Sequence, residues 1–245
     1  MASGIVTGCG KGIGLATAAR LLRQGDHVVG ISRSVTPGIH GLMRKFNHRF
    51  QFLKCDISRI DDLSKSIEDA ISLLPNVDYT VANAGIRSRC SFKDSSLDLY
   101  SKVFGVNTLS QIHLTKLLVE NALINKSPLK LLYLTSIVGP AGFSELSTYA
   151  CSKSALEGFV RSLAIEYARD KILINCVAPG FIKSSYYSSF KNNQPQLHSW
   201  TLDRTPMGRW GTCHEVAKLI SFLISSDNSY MTGATVFCDG GWSAA

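Results

Sequence analysis

The sequence predicts an α/β protein: one doubly wound, mainly parallel sheet of about seven strands, with helices on both faces. Three observations predict it. Short apolar runs alternate with longer amphipathic ones along the whole chain, the pattern of successive right-handed βαβ units. The short runs are continuously rich in Val, Ile and Leu, as strands covered on both faces must be. No repeat, low-complexity tract or Pro/Gly-rich linker interrupts the 245 residues, so a single domain over 1–245 is expected.

Ile5-Val6 is a short strand that runs into a glycine cluster. Ile13 to Gln24 places Ile13, Ala16, Leu21 and Leu22 on one helical stripe, and Gly25-Asp26 stops it. Val28-Val29-Gly30-Ile31 reads as a buried second strand and Phe50 to Cys55 as a third. A helix from about Asp61 to Leu74 ends at Pro75, which cannot continue it. Tyr79 to Ala82 is the fourth strand, and one long helical stretch covers Leu97 to about Ile124. Leu129–Leu134 is a strand, Tyr149–Ala168 a helix and Ile172–Val177 a strand. A helix near Glu215–Ser225 and a last strand at Thr235–Phe237 close the pattern.

Composition narrows the function classes. Hydrophobic residues make up 45% and charged residues 18%, enough to bury a real core. No apolar run approaches the roughly 18 residues a membrane span needs. The N-terminus, Met1-Ala2-Ser3-Gly4-Ile5-Val6, has neither a basic leader nor a cleavage site, so a cytoplasmic protein off the membrane is expected. The seven cysteines (Cys9, Cys55, Cys90, Cys151, Cys176, Cys213, Cys238) form no Cys-x-x-Cys pair and predict reduced thiols and no metal site. The net charge is +8, but its lysines and arginines are scattered and no nucleic-acid module appears, so no nucleic-acid partner is predicted.

Ligands of such sheets bind at the carboxyl ends of the strands, beside the switch in strand order. There the chain carries Thr7-Gly8-Cys9-Gly10-Lys11-Gly12-Ile13-Gly14, between the first strand and the first helix. Glycines let backbone approach a ligand closely, and free N–H groups at a helix start favour a pyrophosphate. The glycines fall at 8, 10, 12 and 14, which departs from G-x-G-x-x-G; the strand-turn-helix setting is what favours a dinucleotide over a plain tight turn. The second strand ends in Ser32-Arg33-Ser34, without the acid that would bind the ribose 2′-hydroxyl of NAD. Arg33 can instead fork onto a 2′-phosphate, with Lys11 adding charge, which points to NADP over NAD. Asp56 is a candidate for the adenine amino group, with a helix N-cap as its competing role. Asn83-Ala84-Gly85 reads as a turn beside the cofactor or as a turn alone.

Ser136 follows the strand Leu129–Leu134, and Tyr149 and Lys153 lie four apart on one face of a predicted helix. A nearby ammonium favours phenolate and lowers the tyrosine pKa, so that the phenol exchanges a proton with an alcohol or alkoxide. A serine hydroxyl can hold the carbonyl oxygen. Out of context, such a Tyr-x-x-x-Lys is equally a helix surface pair.

Taken together, Thr7-Gly8-x-x-x-Gly12-Ile13-Gly14, Asp56-Ile57, Asn83-Ala84-Gly85, Val106-Asn107, Ser136, Tyr149-x-x-x-Lys153, Pro179-Gly180 and Asp239-Gly240-Gly241 resemble the classical short-chain dehydrogenase/reductase family over nearly the whole length. The nearest subgroup in character is the 3-oxoacyl-acyl-carrier-protein reductase type. The resemblance implies a Rossmann-type sheet and an NADP-dependent enzyme. Tyr149 would be the general acid/base, and Lys153 would tune it and bind the nicotinamide ribose. Ser136 would polarise the carbonyl. Asn107 would shape the long helix and hold a water in a relay through Lys153. The stretch Pro179, Gly180, Phe181 and Ile182 would lie against the nicotinamide, with the Ile182 backbone reaching its carboxamide. Gly8, Lys11, Gly12, Ile13, Gly14, Ser32, Arg33, Asp56, Ile57, Asn83, Ala84 and Gly85 would hold the rest of the cofactor. Ser184 stands where the family usually has threonine; a hydroxyl remains.

The segment from Ser184 to about Arg209 is expected to be a substrate lid, and its Tyr186, Tyr187, Phe190, Leu197, Trp200 and Met207 either face an uncharged substrate or pack the lid down. Arg87, Val138, Phe143 and Tyr186 are the substrate candidates, with Ile86 and Gly139 beside them; Arg87 and Arg89, just after Asn83-Ala84-Gly85, either meet an anionic group or are solvated. The substrate is expected to be a small carbonyl or alcohol, free or carrier-bound, and the resemblance implies a homodimer or homotetramer through Leu97–Ile124, Tyr149–Ala168 and Val236–Trp242. The rival readings are an isomerase or dehydratase using the same tyrosine, and a non-catalytic dinucleotide sensor or scaffold; intact Ser136, Tyr149 and Lys153 argue against the sensor.

Overall fold

A computed structural model describes residues 1–245. In chain order its elements are β1 (Ser3–Thr7), α1 (Gly12–Gln24), β2 (His27–Ser32), α2 (Pro37–Lys45), β3 (Phe50–Lys54), α3 (Ile60–Leu73), β4 (Tyr79–Ala82), α4 (Leu97–Phe104), α5 (Ser110–Asn125), β5 (Leu129–Leu134), α6 (Val138–Ala141), α7 (Ser147–Tyr167), β6 (Ile172–Pro179), β7 (Ile182–Lys183), α8 (Tyr187–Asn193), α9 (Pro195–Arg204), β8 (Gly211–Thr212), α10 (Cys213–Ile224) and β9 (Thr235–Cys238).

Seven strands form one sheet in the order β3-β2-β1-β4-β5-β6-β9, and every pairing is parallel. The seven runs read from sequence are these seven strands. Both sheet faces are covered, which accounts for the missing polar alternation. One core joins Ile5, Val29, Leu131, Tyr133 and Ile174 to α3, α5 and α7 through Leu63, Ile67, Leu114, Leu118, Leu156 and Val160. The other joins Val6, Val28, Val81, Leu132 and Val177 to α1, α2 and α10 through Leu21, Leu22, Ile39, Val216 and Ile220. Burying each such side chain contributes about 1.5–3 kcal/mol before the ordering entropy is subtracted.

Strand order reverses between β1 and β4, so the chain leaves a crevice at the carboxyl ends of those two strands. The glycine cluster ends β1 and Asn83 follows β4, which puts both in that crevice.

The structure adds detail that periodicity missed. Helix α2 is absent from the sequence reading because Gly38 and Gly41 lower its helix propensity. Its start was nevertheless marked: Thr36 caps it, accepting from Ile39 N at 3.3 Å, and Pro37 occupies the first turn. The stretch predicted as one long helix is broken by a π-helical turn at Gly105–Leu109 between α4 and α5. The segment after Ser184 carries two short helices, α8 and α9, and the two-residue strands β7 and β8 pair across its base. Helix α10 opens with a capping box, Thr212 and Glu215 reciprocally bonded.

Candidate active site

Two adjoining cavities occupy the crevice, about 360 and 280 Å³ in volume, and Asn83, Gly85 and Ile86 line both. The first is a nucleotide-sized groove. Gly8, Lys11, Ser32, Arg33, Asp56, Ile57, Asn83, Ala84 and Gly85, all predicted cofactor residues, line it. The glycines here are required. Gly8 has φ +66°, and a Cβ on it would sit 2.7 Å from Asn83 Nδ2. A Cβ on Gly14 would lie 2.4 Å from the Gly8 carbonyl oxygen. Helix α1 therefore begins pressed against the loop; Ile13 lines the second cavity, while Gly12 and Gly14 line neither.

Asn83 explains how the loop is held. Its Nδ2 donates to Thr7 O at 3.0 Å and Gly8 O at 3.1 Å, while Thr7 Oγ1 accepts from Asn83 N and Ala84 N, both at 3.1 Å. This is more than a turn: it locks the end of β4 to the end of β1 across the switch point. Thr36, which the sequence reading passed over, donates to Gly10 O at 2.7 Å from the start of α2. Its signal was the Thr-Pro pair.

At the far end of the groove Arg33 and Lys11 are exposed and make no hydrogen bond or ion pair, and Ser32 Oγ donates to Ser34 O at 3.1 Å. No acid follows β2. Two free cations, Lys11 and Arg33, fit an adenosine 2′-phosphate, and β2 ends without the acid that would accept from a 2′-hydroxyl. Asp56 lines the groove, but it is not the cap of α3. That position is Arg59; Asp56 Oδ1 accepts from Ser58 N at 3.1 Å and Ser58 Oγ at 2.9 Å.

The second cavity is lined by Ser136, Val138, Phe143, Tyr149, Lys153, Pro179, Gly180, Ile182, Ser184, Tyr186, Ile13, Ile86 and Arg87, so the predicted catalytic, nicotinamide and substrate residues meet in one place. Asn107 is set one layer behind, fully buried on the π-helical turn. Its Oδ1 accepts from Ile86 N at 2.8 Å, and its Nδ2 donates to Ile86 O at 2.9 Å and Ser152 Oγ at 3.0 Å, which fixes the cavity wall. Gly139 does not line the cavity; it packs against Ser154. Ser184 lies opposite the loop, its Cβ 3.7 Å from where a Gly12 Cβ would be.

Tyr149 and Lys153 project from the first turns of α7, and Ser136 from the end of β5. Lys153 is buried and donates from Nζ to Leu134 O at 2.6 Å; its ammonium is 5.8 Å from the Tyr149 ring centre. Burial lowers its pKa to about 8. Burial holds the Tyr149 phenol above its ordinary value, while the Arg87 guanidinium and the Ser136 hydroxyl pull it down. Arg87 thus adds a second cation near the phenol, beside Lys153, whose ammonium is also bonded to the Leu134 carbonyl.

The lid aromatics divide. Phe190 is buried against Trp210 (ring centres 5.2 Å apart) and Tyr187 packs on Trp210 (4.9 Å), so both hold the lid down. Tyr186 faces the cavity. Phe181, in the stretch expected against the nicotinamide, lines it too; Leu146 and Trp210 also line it and were not singled out, Trp210 lying one residue beyond the expected lid with its Nε1 donating to Thr201 Oγ1 at 2.7 Å.

No helix is long and apolar enough to cross a membrane. Residues 8–243 match the family model described as enoyl-(acyl carrier protein) reductase. The chain is 30% identical over 241 residues to a 2-dehydro-3-deoxy-D-gluconate 5-dehydrogenase of Pseudoalteromonas atlantica, covering 97% of this chain and 94% of that protein. It is 31% identical over 239 residues to a 3-oxoacyl-acyl-carrier-protein reductase of Buchnera aphidicola subsp. Schizaphis graminum, covering 97% and 95%. A structure from Agrobacterium tumefaciens solved with bound NADP superposes with a TM-score of 0.92 at 27% identity, covering 100% of this chain and 97% of that one. With this match over almost its full length and the seven-stranded sheet that carries the site, the chain belongs to the classical short-chain dehydrogenase/reductase family.

Proposed function

We propose that the chain is an NADP(H)-dependent oxidoreductase that interconverts a ketone and a secondary alcohol, with Tyr149 as general acid/base. The observation that carries this is the junction of the two cavities: Ser136, Tyr149 and Lys153 share a pocket that opens at Asn83, Gly85 and Ile86 onto a groove with free cations at its far end.

The residues present fit the cofactor. Gly8 and Gly14 leave room that side chains would fill, and Lys11 and Arg33 are unpaired. Ser184, Pro179, Gly180 and Ile182 would border the nicotinamide, with Asp56 and Ile57 near the adenine. When bound, the cofactor supplies or takes the hydride. In the reducing direction Ser136 donates a hydrogen bond to the carbonyl oxygen. Tyr149 transfers its phenolic proton to that oxygen as the carbonyl carbon becomes an alcohol carbon, which leaves a phenolate. The Lys153 and Arg87 charges stabilise that phenolate. Lys153 returns the proton, fed through the Asn107 layer. The alcohol is oxidised by the same steps reversed.

The whole chain acts as one unit, with 184–209 as its lid, in a reduced compartment such as the cytoplasm. Exposed Leu97, Leu109, Ile112 and Ile165 on α4, the π-helical turn, α5 and α7, and Phe237 on β9, support a homodimer or homotetramer. Light scattering giving a monomer at micromolar concentration would contradict that.

The test is NADPH binding by tryptophan fluorescence together with loss of nicotinamide absorbance over a panel of ketones. Binding and turnover are expected. Binding without turnover of any ketone would favour the sensor reading. Turnover of trans-enoyl thioesters alone would move the chemistry to C=C reduction, the reaction named by the matching family model.

A further inference from the structure

The catalytic cavity is one-sided in charge. Among its 21 lining residues are two cations, Lys153 and Arg87, and no aspartate or glutamate. Lys153 already serves Leu134 O and Tyr149. Arg87 makes no hydrogen bond and no ion pair, although Arg89, two residues on, is engaged by Glu145 at 2.6 Å and Gln194 at 3.2 Å.

The backbone on either side of Arg87 is held, and its side chain is exposed. The residue before it is clamped by Asn107 on both backbone groups, and Cys90 N donates to Glu145 O at 2.9 Å just after it. Its guanidinium lies over the Tyr186 ring, 5.6 Å from the centroid, a cation–π seat that limits its rotamers while leaving its N–H edge free. It is not part of the nucleotide groove, where Lys11 and Arg33 meet the demand for positive charge. Its field reaches the Tyr149 phenol. An unpaired guanidinium on the wall of the cavity, seated on a ring, is a fork for a carboxylate.

From this geometry, and resting on the reductase reading above, we propose that Arg87 is a specificity residue that selects substrates carrying a carboxylate: small keto acids and hydroxy acids whose reacting carbon meets Ser136 and Tyr149 while the acid group pairs with Arg87. Arg87, Ser136 and Tyr149 line one cavity, so an acid group on Arg87 and a reacting carbon at Tyr149 belong to the same pocket. An acyl chain on a carrier thioester has no carboxylate to place there.

The experiment compares kcat/KM for acetoacetate against acetoacetamide with NADPH, and for D-gluconate against D-gluconamide with NADP. A panel of uncharged ketones is run beside them. The acid is expected to be preferred. The acid-to-amide ratio is expected to fall about 10- to 100-fold in Arg87→Gln, the loss of a charge-assisted hydrogen bond, and to recover in part in Arg87→Lys. Arg89→Gln, which breaks the neighbouring ion pair, is expected to leave the ratio where it was. Equal turnover of acid and amide, turnover confined to uncharged ketones, or an unchanged ratio in Arg87→Gln would overturn the inference and leave the reductase reading standing. No turnover of any carbonyl or alcohol would overturn both.

Discussion

Replacing Arg33 with aspartate tests how this groove chooses its nucleotide. Arg33 is exposed, unpaired and alone with Lys11 at the end where β2 meets the adenosine, so no internal contact is lost and folding is unaffected. What changes is the partner for the cofactor. Removing a charge-assisted fork on a 2′-phosphate costs about 1.5–3 kcal/mol. The new carboxylate repels that phosphate and accepts from the free 2′-hydroxyl of NAD, adding about 1 kcal/mol in the same direction. The combined swing is about 2.5–4 kcal/mol, roughly 60- to 800-fold in the ratio of kcat/KM for NADP over NAD. Lys11 is untouched by the change and should keep residual NADP binding. The ratio is read from initial rates with each nucleotide on one alcohol. An unchanged ratio would refute the assignment of Arg33 to the 2′-phosphate, and with it the argument from the missing acid.

Other expectations follow from single contacts. Gly14→Ala places a methyl 2.4 Å from the Gly8 carbonyl and should raise the NADPH Kd by at least about tenfold, whereas Gly41→Ala, with nothing within 4 Å in α2, should stabilise the fold by about 0.5–1 kcal/mol in urea melts. Lys153→Met removes a buried ammonium whose pKa is held down at about 8; thermal melts at neutral pH should show the variant more stable by about 1–3 kcal/mol while turnover is lost. The folded-state pKa of Lys153 lies below its unfolded value of 10.5, so the unfolded chain binds the extra proton between about pH 8 and 10.5. This lysine's destabilising share is therefore complete below pH 8 and relieved as pH rises through that window, and the gap in stability between wild type and Lys153→Met should narrow there. In the same window wild-type ketone reduction should decline, because the ammonium that returns the proton is lost.

The sheet was legible because its physics is local: each strand is an apolar run covered on both faces, and each crossover helix shows one stripe. The site was legible where backbone demands specific residues. Gly8 and Gly14 are needed by the close approach of α1 to the loop, and Tyr149 and Lys153 share a face four residues apart. What stayed hidden depends on pairings distant in sequence. Nothing in the sequence says that Asn83 will reach back to Gly8 O across 75 positions, or that Asn107 will hold Ile86. The π-helical turn that places Asn107 was invisible because its apolar pattern continues that of α4 and α5. Arg87 was hidden for the same reason: spacing shows Lys153 beside Tyr149, and only the fold brings a second cation toward the phenol from the loop after β4. Helix α2 was lost to its two glycines although its cap was in plain view.

The central claim is that Tyr149 moves the proton. The direct measurement is kcat/KM for NADPH oxidation on a reducible ketone, together with the NADPH Kd, in wild type and Tyr149→Phe. The phenylalanine keeps the ring and its packing and removes only the hydroxyl. The account predicts a loss of about 10²- to 10⁴-fold in kcat/KM, the usual contribution of a positioned acid, with the Kd within a few-fold of wild type. Turnover by Tyr149→Phe at close to the wild-type rate would contradict it.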